Sequence, residues 1–172
     1  SLFAFEQAGV KPDIITLSKA LTGGTLPLAA TVASEHVFNA FLSDDPSHAL
    51  MHGPTFMGNA LACAAAHASL DLFEGDPRLA RGAATGAALR DGLAPCRHLP
   101  WVKDVRTLGA IGVVELTRIN DMNRLKQRLI DQGVWVRPFG RIVYLTPALT
   151  IGPDDLDRLI QAVDAVVSES AP

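Results

Sequence analysis

Lys19 closes the apolar run Asp13-Ile14-Ile15-Thr16-Leu17-Ser18 and opens the loop Ala20-Leu21-Thr22-Gly23-Gly24. A short β-prone run bounded by Pro12 and by a glycine pair predicts a buried strand. Lys19 then emerges where strand gives way to loop, the usual place for ligand chemistry in α/β folds. Partial desolvation is expected to ease loss of a proton from its amine. The free amine is the nucleophile that forms a Schiff base with an aldehyde cofactor such as pyridoxal phosphate. A single lysine is ordinarily a solvated surface charge, so its neighbours have to decide between the two readings.

Two further segments carry suitable donors. The loop Gly53-Pro54-Thr55-Phe56 precedes a helical pattern, so it can offer backbone N–H groups and the Thr55 hydroxyl to a phosphate that the helix dipole also favours. Taken by itself, the same pattern is an ordinary turn and cap. His52 adjoins this loop, and structural packing is the favoured reading of it. Arg137 ends the apolar run Val134-Trp135-Val136 and precedes Pro138, so no helical charge pair accounts for it. Its guanidinium matches a carboxylate bidentately, as a lysine cannot. Standing alone it is also a plausible surface arginine beside a hairpin. Arg141, in the turn, is expected to face solvent.

Other chemistries find little support. Cys63 and Cys96 form no CxxC pair, and Cys63 sits in a small-residue run where a thiol acts as a compact apolar group. The histidines His36, His48, His52, His67 and His98 show no HExxH and no close pairing with carboxylates, so zinc is not expected. Net charge is −3, and the charged fraction of 19% lies below the roughly 25% usual for soluble domains. The basic residues are scattered with no interleaved aromatics, which argues against a nucleic-acid binder. Low charge and abundant alanine suit a surface hidden in a subunit interface, and equally an Ala-rich helical core. No apolar run reaches the length of a membrane span, and cytoplasm is the default location.

The elements that must position these residues alternate. Ile14 to Leu17 and Pro27 to Val32 read as strands. Ser34 caps a short helix from His36 to Leu42, and Asn59 caps a helix from Ala60 to Phe73. Gly75-Asp76-Pro77 breaks that helix and marks a domain boundary, residues 1–76 before it and 77–172 after, with Pro77 opening a helix through Arg90. Trp101 to Val105 and Ala110 to Leu116 read as a strand pair. Asn123 to Gln132 is helical, Val134 to Arg137 and Ile142 to Thr146 form a hairpin turning at Phe139-Gly140, and a last helix begins near Pro153. The second part is therefore expected to be a modest α+β unit.

The segments TLSKALTGG, LPLAATVAS and HGPTFMGNALACAAA together resemble the cofactor-lysine region of the class III, fold type I pyridoxal-phosphate aminotransferases. The resemblance implies an α/β fold, with 1–76 the C-terminal part of the cofactor-binding large domain and 77–172 the C-terminal small domain. It implies Lys19 as the Schiff-base residue, Thr55 as the cofactor-phosphate ligand on a cofactor-binding loop that Gly53 and Pro54 shape, and Gly53, Arg137 and Tyr144 as substrate contacts. In the family the counterpart of Thr55 serves the neighbouring subunit, which implies a homodimer with shared active sites. Pro-Thr-Phe-Met and VWVRPFGRIVYLTP look most like the members that take S-adenosylmethionine as amino donor and 8-amino-7-oxononanoate as acceptor, in biotin biosynthesis. An ω-amino-acid transaminase, an aminomutase and an inactive truncated homologue are the alternatives. Family members are much longer, and the acidic partner of the pyridinium nitrogen has no counterpart here, so these 172 residues alone are expected to be inert. Two departures stand out. Ala60 replaces a common proline, with little effect expected, and Thr146-Pro147-Ala148-Leu149 replaces a segment that often carries an extra proline and an aromatic at the pocket rim.

Overall fold

The computed structural model describes residues 2–169. The chain divides into two compact units, Ser1–Pro77 and Arg78–Pro172. Among the described residues no helix is long and apolar enough to cross a membrane.

The first unit contains α1 (Ala4–Ala8), β1 (Ile14–Leu17), β2 (Ala30–Ala33), α2 (Glu35–Asn39), a 3₁₀ turn (Pro46–His48) and α3 (Ala60–Gly75). Strands β1 and β2 are antiparallel, with Ile14 opposite Ala33 and Leu17 opposite Ala30. Ser34 fixes the exit from β2: its N–H donates to the Asp13 carbonyl at 2.8 Å, and its hydroxyl oxygen caps α2 by accepting from the Val37 N–H at 3.5 Å. Asn59 caps α3 in the same manner, its Oδ1 accepting from Ala62 N–H at 3.0 Å.

This unit has little core of its own. Thr22, Ala62 and Ala66 are its buried residues. Contrary to expectation, β1 is not a buried strand, and Ile14 is 54% exposed. The reason is topological: a lone two-stranded ribbon has no third strand or packed helix layer to cover either face. The second strand begins later than expected, at Ala30, because Pro27 lacks the N–H a ladder needs.

The second unit contains α4 (Arg78–Leu93), a 3₁₀ segment (Ala94–His98), β3 (Val102–Leu108), β4 (Ile111–Leu116), α5 (Met122–Asp131), β5 (Ile142–Leu145) and α6 (Pro153–Ser168). The sheet is antiparallel in the order β3-β4-β5. Alternation along β4 turns Gly112, Val114 and Leu116 inward, where they meet Val105, Val143 and Leu145 from the flanking strands and Leu89, Leu93, Leu129 and Val163 from the helices. This is a two-layer arrangement, helices against one face of a sheet. Trp101 closes one edge by donating its indole N–H to the Val167 carbonyl at 2.8 Å. Helix α4 can lie close to the β3–β4 hairpin because position 86 is glycine: a Cβ there would sit 3.0 Å from the Gly109 carbonyl carbon.

One expected element does not form. Val134 to Arg137 is extended but carries no strand ladder, and β5 pairs instead with β4. Pro138 has no N–H to give and confines its predecessor to extended geometry. What remains of the expected hairpin is a tight turn in which Phe139 and Ile142 exchange N–H···O bonds, both 2.8 Å.

Candidate active site

Lys19 lies two residues beyond β1, at the start of linked turns. Leu21 N–H bonds to Ser18 O at 2.7 Å, Gly23 N–H to Ala20 O at 3.1 Å, and Thr25 N–H to Thr22 O at 3.3 Å. The buried Thr22 hydroxyl donates to Leu26 O at 2.6 Å and ties the ends of the loop together. Gly23 and Gly24 have φ of 61° and 82°, a left-handed conformation that residues with a side chain rarely adopt. The glycine pair is therefore a backbone requirement of the turn that carries Lys19. Lys19 itself is exposed, where partial desolvation was expected, because the thin unit around β1 supplies no apolar wall over the turn. No hydrogen bond or ion pair engages its amine among the described residues.

The loop before α3 is exposed from Met51 to Ala60. Pro54, Thr55, Phe56 and Met57 form a turn, closed by Met57 N–H to Pro54 O at 2.9 Å, and Asn59 N–H bonds to Phe56 O at 3.3 Å. Gly58, with φ of 67°, is the glycine that this loop needs, whereas Gly53 has ordinary φ and open space where a Cβ would stand. The backbone of this loop therefore does not require glycine at position 53. The Thr55 hydroxyl has no hydrogen-bond partner among the described residues, and it stands four residues before the N-cap of a sixteen-residue helix. His52 is also exposed, so packing does not account for it within this unit.

Arg137 and Tyr144 belong to the second unit and line one groove of about 670 Å³ on the outer face of the sheet. The extended segment alternates: Trp135, Arg137 and Phe139 are exposed, while Val136 and Pro138 are buried. With a side-chain period of two, Trp135, Arg137 and Phe139 share the exposed side of this segment. Ile111, Val113 and Ile142 form an apolar floor, and Lys126 and Ile130, one turn apart on α5, form a wall. Trp135, Phe139 and Lys126 were missed in the sequence. VWVRPF is apolar at every position but Arg137, so its composition did not single out the first two, and Lys126 carried no signal either.

The two neighbouring arginines differ in their partners. Arg141, expected to face solvent, donates to Thr117 O at 3.3 Å and lies 3.7 Å from the Glu115 carboxylate. Glu115 also binds Lys103 Nζ and Arg106, each at 2.9 Å, and these charge-assisted bonds hold its carboxyl below the ordinary carboxylate range. Arg137, by contrast, makes no hydrogen bond or ion pair among the described residues. It is the arginine left available to an incoming anion.

The donor set suits a phosphorylated aldehyde: a primary amine at the end of a strand, and a hydroxyl with turn N–H groups ahead of a helix. Lys19 would hold the aldehyde end of such a group, and Thr55, on the loop that Pro54 begins, would hold a phosphate. No cluster of potential metal ligands occurs among the described residues.

Comparison with known proteins agrees with this chemistry. The class III aminotransferase family pattern matches residues 1–167. The adenosylmethionine-8-amino-7-oxononanoate aminotransferase of Corynebacterium glutamicum is 42% identical over 166 residues, 96% of this chain and 39% of that protein. Its namesake from Mycobacterium leprae is 43% identical over 162 residues, 94% of this chain and 37% of that protein. Among solved structures, the enzyme of that name from Methanocaldococcus jannaschii superposes with a TM-score of 0.83 at 31% identity, covering 98% of this chain and 41% of the other. An amine transaminase from an uncultivated Pseudomonas species, solved with PLP bound, gives a TM-score of 0.88 at 30% identity, covering 99% and 41%. The chain thus spans about two-fifths of the length of these relatives. Its α/β architecture is that of the fold type I PLP-dependent aminotransferases, and the chain belongs to the class III aminotransferase family.

Proposed function

We propose that the protein of which these residues are part is a pyridoxal-phosphate aminotransferase that moves an amino group from S-adenosylmethionine to 8-amino-7-oxononanoate, giving 7,8-diaminononanoate. The observation that carries this reading is the 42% identity, across 96% of the chain, to a protein bearing that name. Residues 1–76 form the C-terminal part of the cofactor-binding large domain, and 77–172 form the small domain.

When bound, pyridoxal phosphate supplies an electron sink for the charge that develops at the amino-bearing carbon. Lys19 Nζ is the nucleophile that holds the cofactor aldehyde carbon, and as the free amine it carries the proton away from the substrate's amino-bearing carbon. Its place on a hydrogen-bonded turn with two left-handed glycines fixes the backbone from which the side chain reaches. Thr55, with the loop backbone around Pro54, holds the phosphate. That phosphate belongs to the neighbouring subunit's site, which makes the working unit a homodimer. Gly53 lines the substrate side of the same loop. Arg137 grips the acceptor carboxylate, with Tyr144 beside it in the groove.

The experiment is borohydride reduction of the complete holoenzyme followed by peptide mass spectrometry, with the pyridoxyl group expected on Lys19. Label on Lys103 or Lys126 would refute the assignment. A second reading, an ω-amino-acid or amine transaminase, is favoured by the likeness to the Pseudomonas enzyme. It wins if alanine or an ω-amino acid, and not adenosylmethionine, drives the first half-reaction.

A further inference from the structure

The groove that holds Arg137 contains one more charge, and that charge is also positive. Lys126 lines it from α5, no carboxylate lines it among the described residues, and its remaining surface is apolar or aromatic. Neither cation has a hydrogen-bond or ion-pair partner among the described residues. Elsewhere on the same sheet, three cations are engaged by one carboxylate, with Lys103, Arg106 and Arg141 gathered around Glu115. Unpaired cations on an apolar floor are complementary to a ligand with an aliphatic body and an anionic end, because each part then meets its match on leaving water.

We infer that Lys126 is a second anchor for the carboxylate of an aliphatic substrate, adjusting specificity behind Arg137. This inference rests on the reading of Arg137 as the carboxylate's primary holder. The two cations divide the work by their chemistry. The planar guanidinium of Arg137, which lines the groove with Trp135 and Phe139, offers two parallel donors that fix the orientation of the carboxylate. The ammonium of Lys126, on a flexible four-carbon stem, contributes a point charge that tolerates different carboxylate positions and hence different chain lengths. Ile130, one turn along α5, extends the apolar surface beside the Lys126 stem.

The test uses the complete holoenzyme and octanoate as probe, with octan-1-ol as the uncharged control, titrated by calorimetry. Lys126→Met, which keeps the stem and removes the charge, should weaken octanoate binding by roughly fivefold, the scale of an exposed ion pair, and leave octan-1-ol unchanged. Lys126→Arg should restore most of the loss. In turnover, the KM of the keto-acid acceptor should rise by a similar factor while the rate at saturation holds. Equal weakening of octanoate and octan-1-ol would overturn the inference and reduce Lys126 to packing. Octanoate weakened by Arg137→Ala but untouched by Lys126→Met would overturn it while leaving the role of Arg137 standing. Octanoate untouched by either substitution would remove both.

Discussion

Helix α4 contains a matched pair of glycines whose replacement separates packing from helix propensity. Gly82 and Gly86 are one turn apart, both buried, and both in the interior of Arg78–Leu93. Alanine at either position gains the same helix propensity, about 1 kcal/mol. What the new methyl group meets is different. At position 82 its nearest neighbour is Leu149 Cδ2 at 3.2 Å, the tip of a side chain that can rotate aside. At position 86 it lies inside the van der Waals envelope of the Gly109 carbonyl oxygen and 3.0 Å from the carbonyl carbon. Gly109 is at the β3–β4 turn with φ of 54°, so relief requires backbone to move and α4 to lift from the hairpin. Overpacking of this kind costs about 3 kcal/mol, the upper end of the usual range. Gly86→Ala should therefore be net destabilising by about 2 kcal/mol, and Gly82→Ala neutral or slightly stabilising. In urea this separates the two midpoints by on the order of 1 M. Tryptophan fluorescence reads the transition, because Trp101 is partly buried and bonded to Val167 O. Equal midpoints for the two variants would refute the close approach of α4 to the hairpin.

Two further outcomes are expected. The buried Cys96 thiol donates to Asp164 Oδ1 at 3.3 Å, and burial first, then this carboxylate, pushes its pKa from 9.0 up to about 12. The folded state holds this proton more tightly than the unfolded chain, so the contribution to stability is complete below about pH 9 and is lost as pH rises through about 12. Cys96→Ser should flatten that alkaline decline in urea midpoints measured across the interval, and an unchanged slope would exclude Cys96 as its source. For the shared active site, full-length Lys19→Ala subunits mixed with Thr55→Val subunits should form hybrids in which one site carries both lesions and the other neither. Activity should return at one site per hybrid, and absence of recovery, with hybrids shown by mass, would mean that Thr55 serves its own subunit or none.

The parts of this chain that could be read directly were those governed by local rules. Ser34 and Asn59 were identified as caps because a short polar side chain ahead of an apolar run satisfies an otherwise unpaired helix N–H, and both do so. Gly23-Gly24 marked a turn because left-handed backbone needs glycine, and both have positive φ. Non-local competition was not legible. Val134 to Arg137 has the composition of a strand, yet β5 took β4 as its partner and Pro138 blocked a ladder, a decision made by the sheet as a whole. Lys19 was expected to be partly desolvated because its strand is apolar, but apolar composition states only that a surface seeks cover. In this unit Phe38, Phe56, Leu61 and Leu72 are each more than half exposed. The same reasoning accounts for the groove. Trp135, Arg137 and Phe139 share the exposed side of their segment, but VWVRPF is apolar at every position except Arg137, so composition did not mark which residues face out. Lys126 could not be found in that way, since it lies on a separate helix and reaches the groove only through the packing of Leu125 and Leu129 into the core. Side chains that meet through tertiary packing leave no spacing to read, and for that reason the structure is needed to pair Lys126 with Arg137.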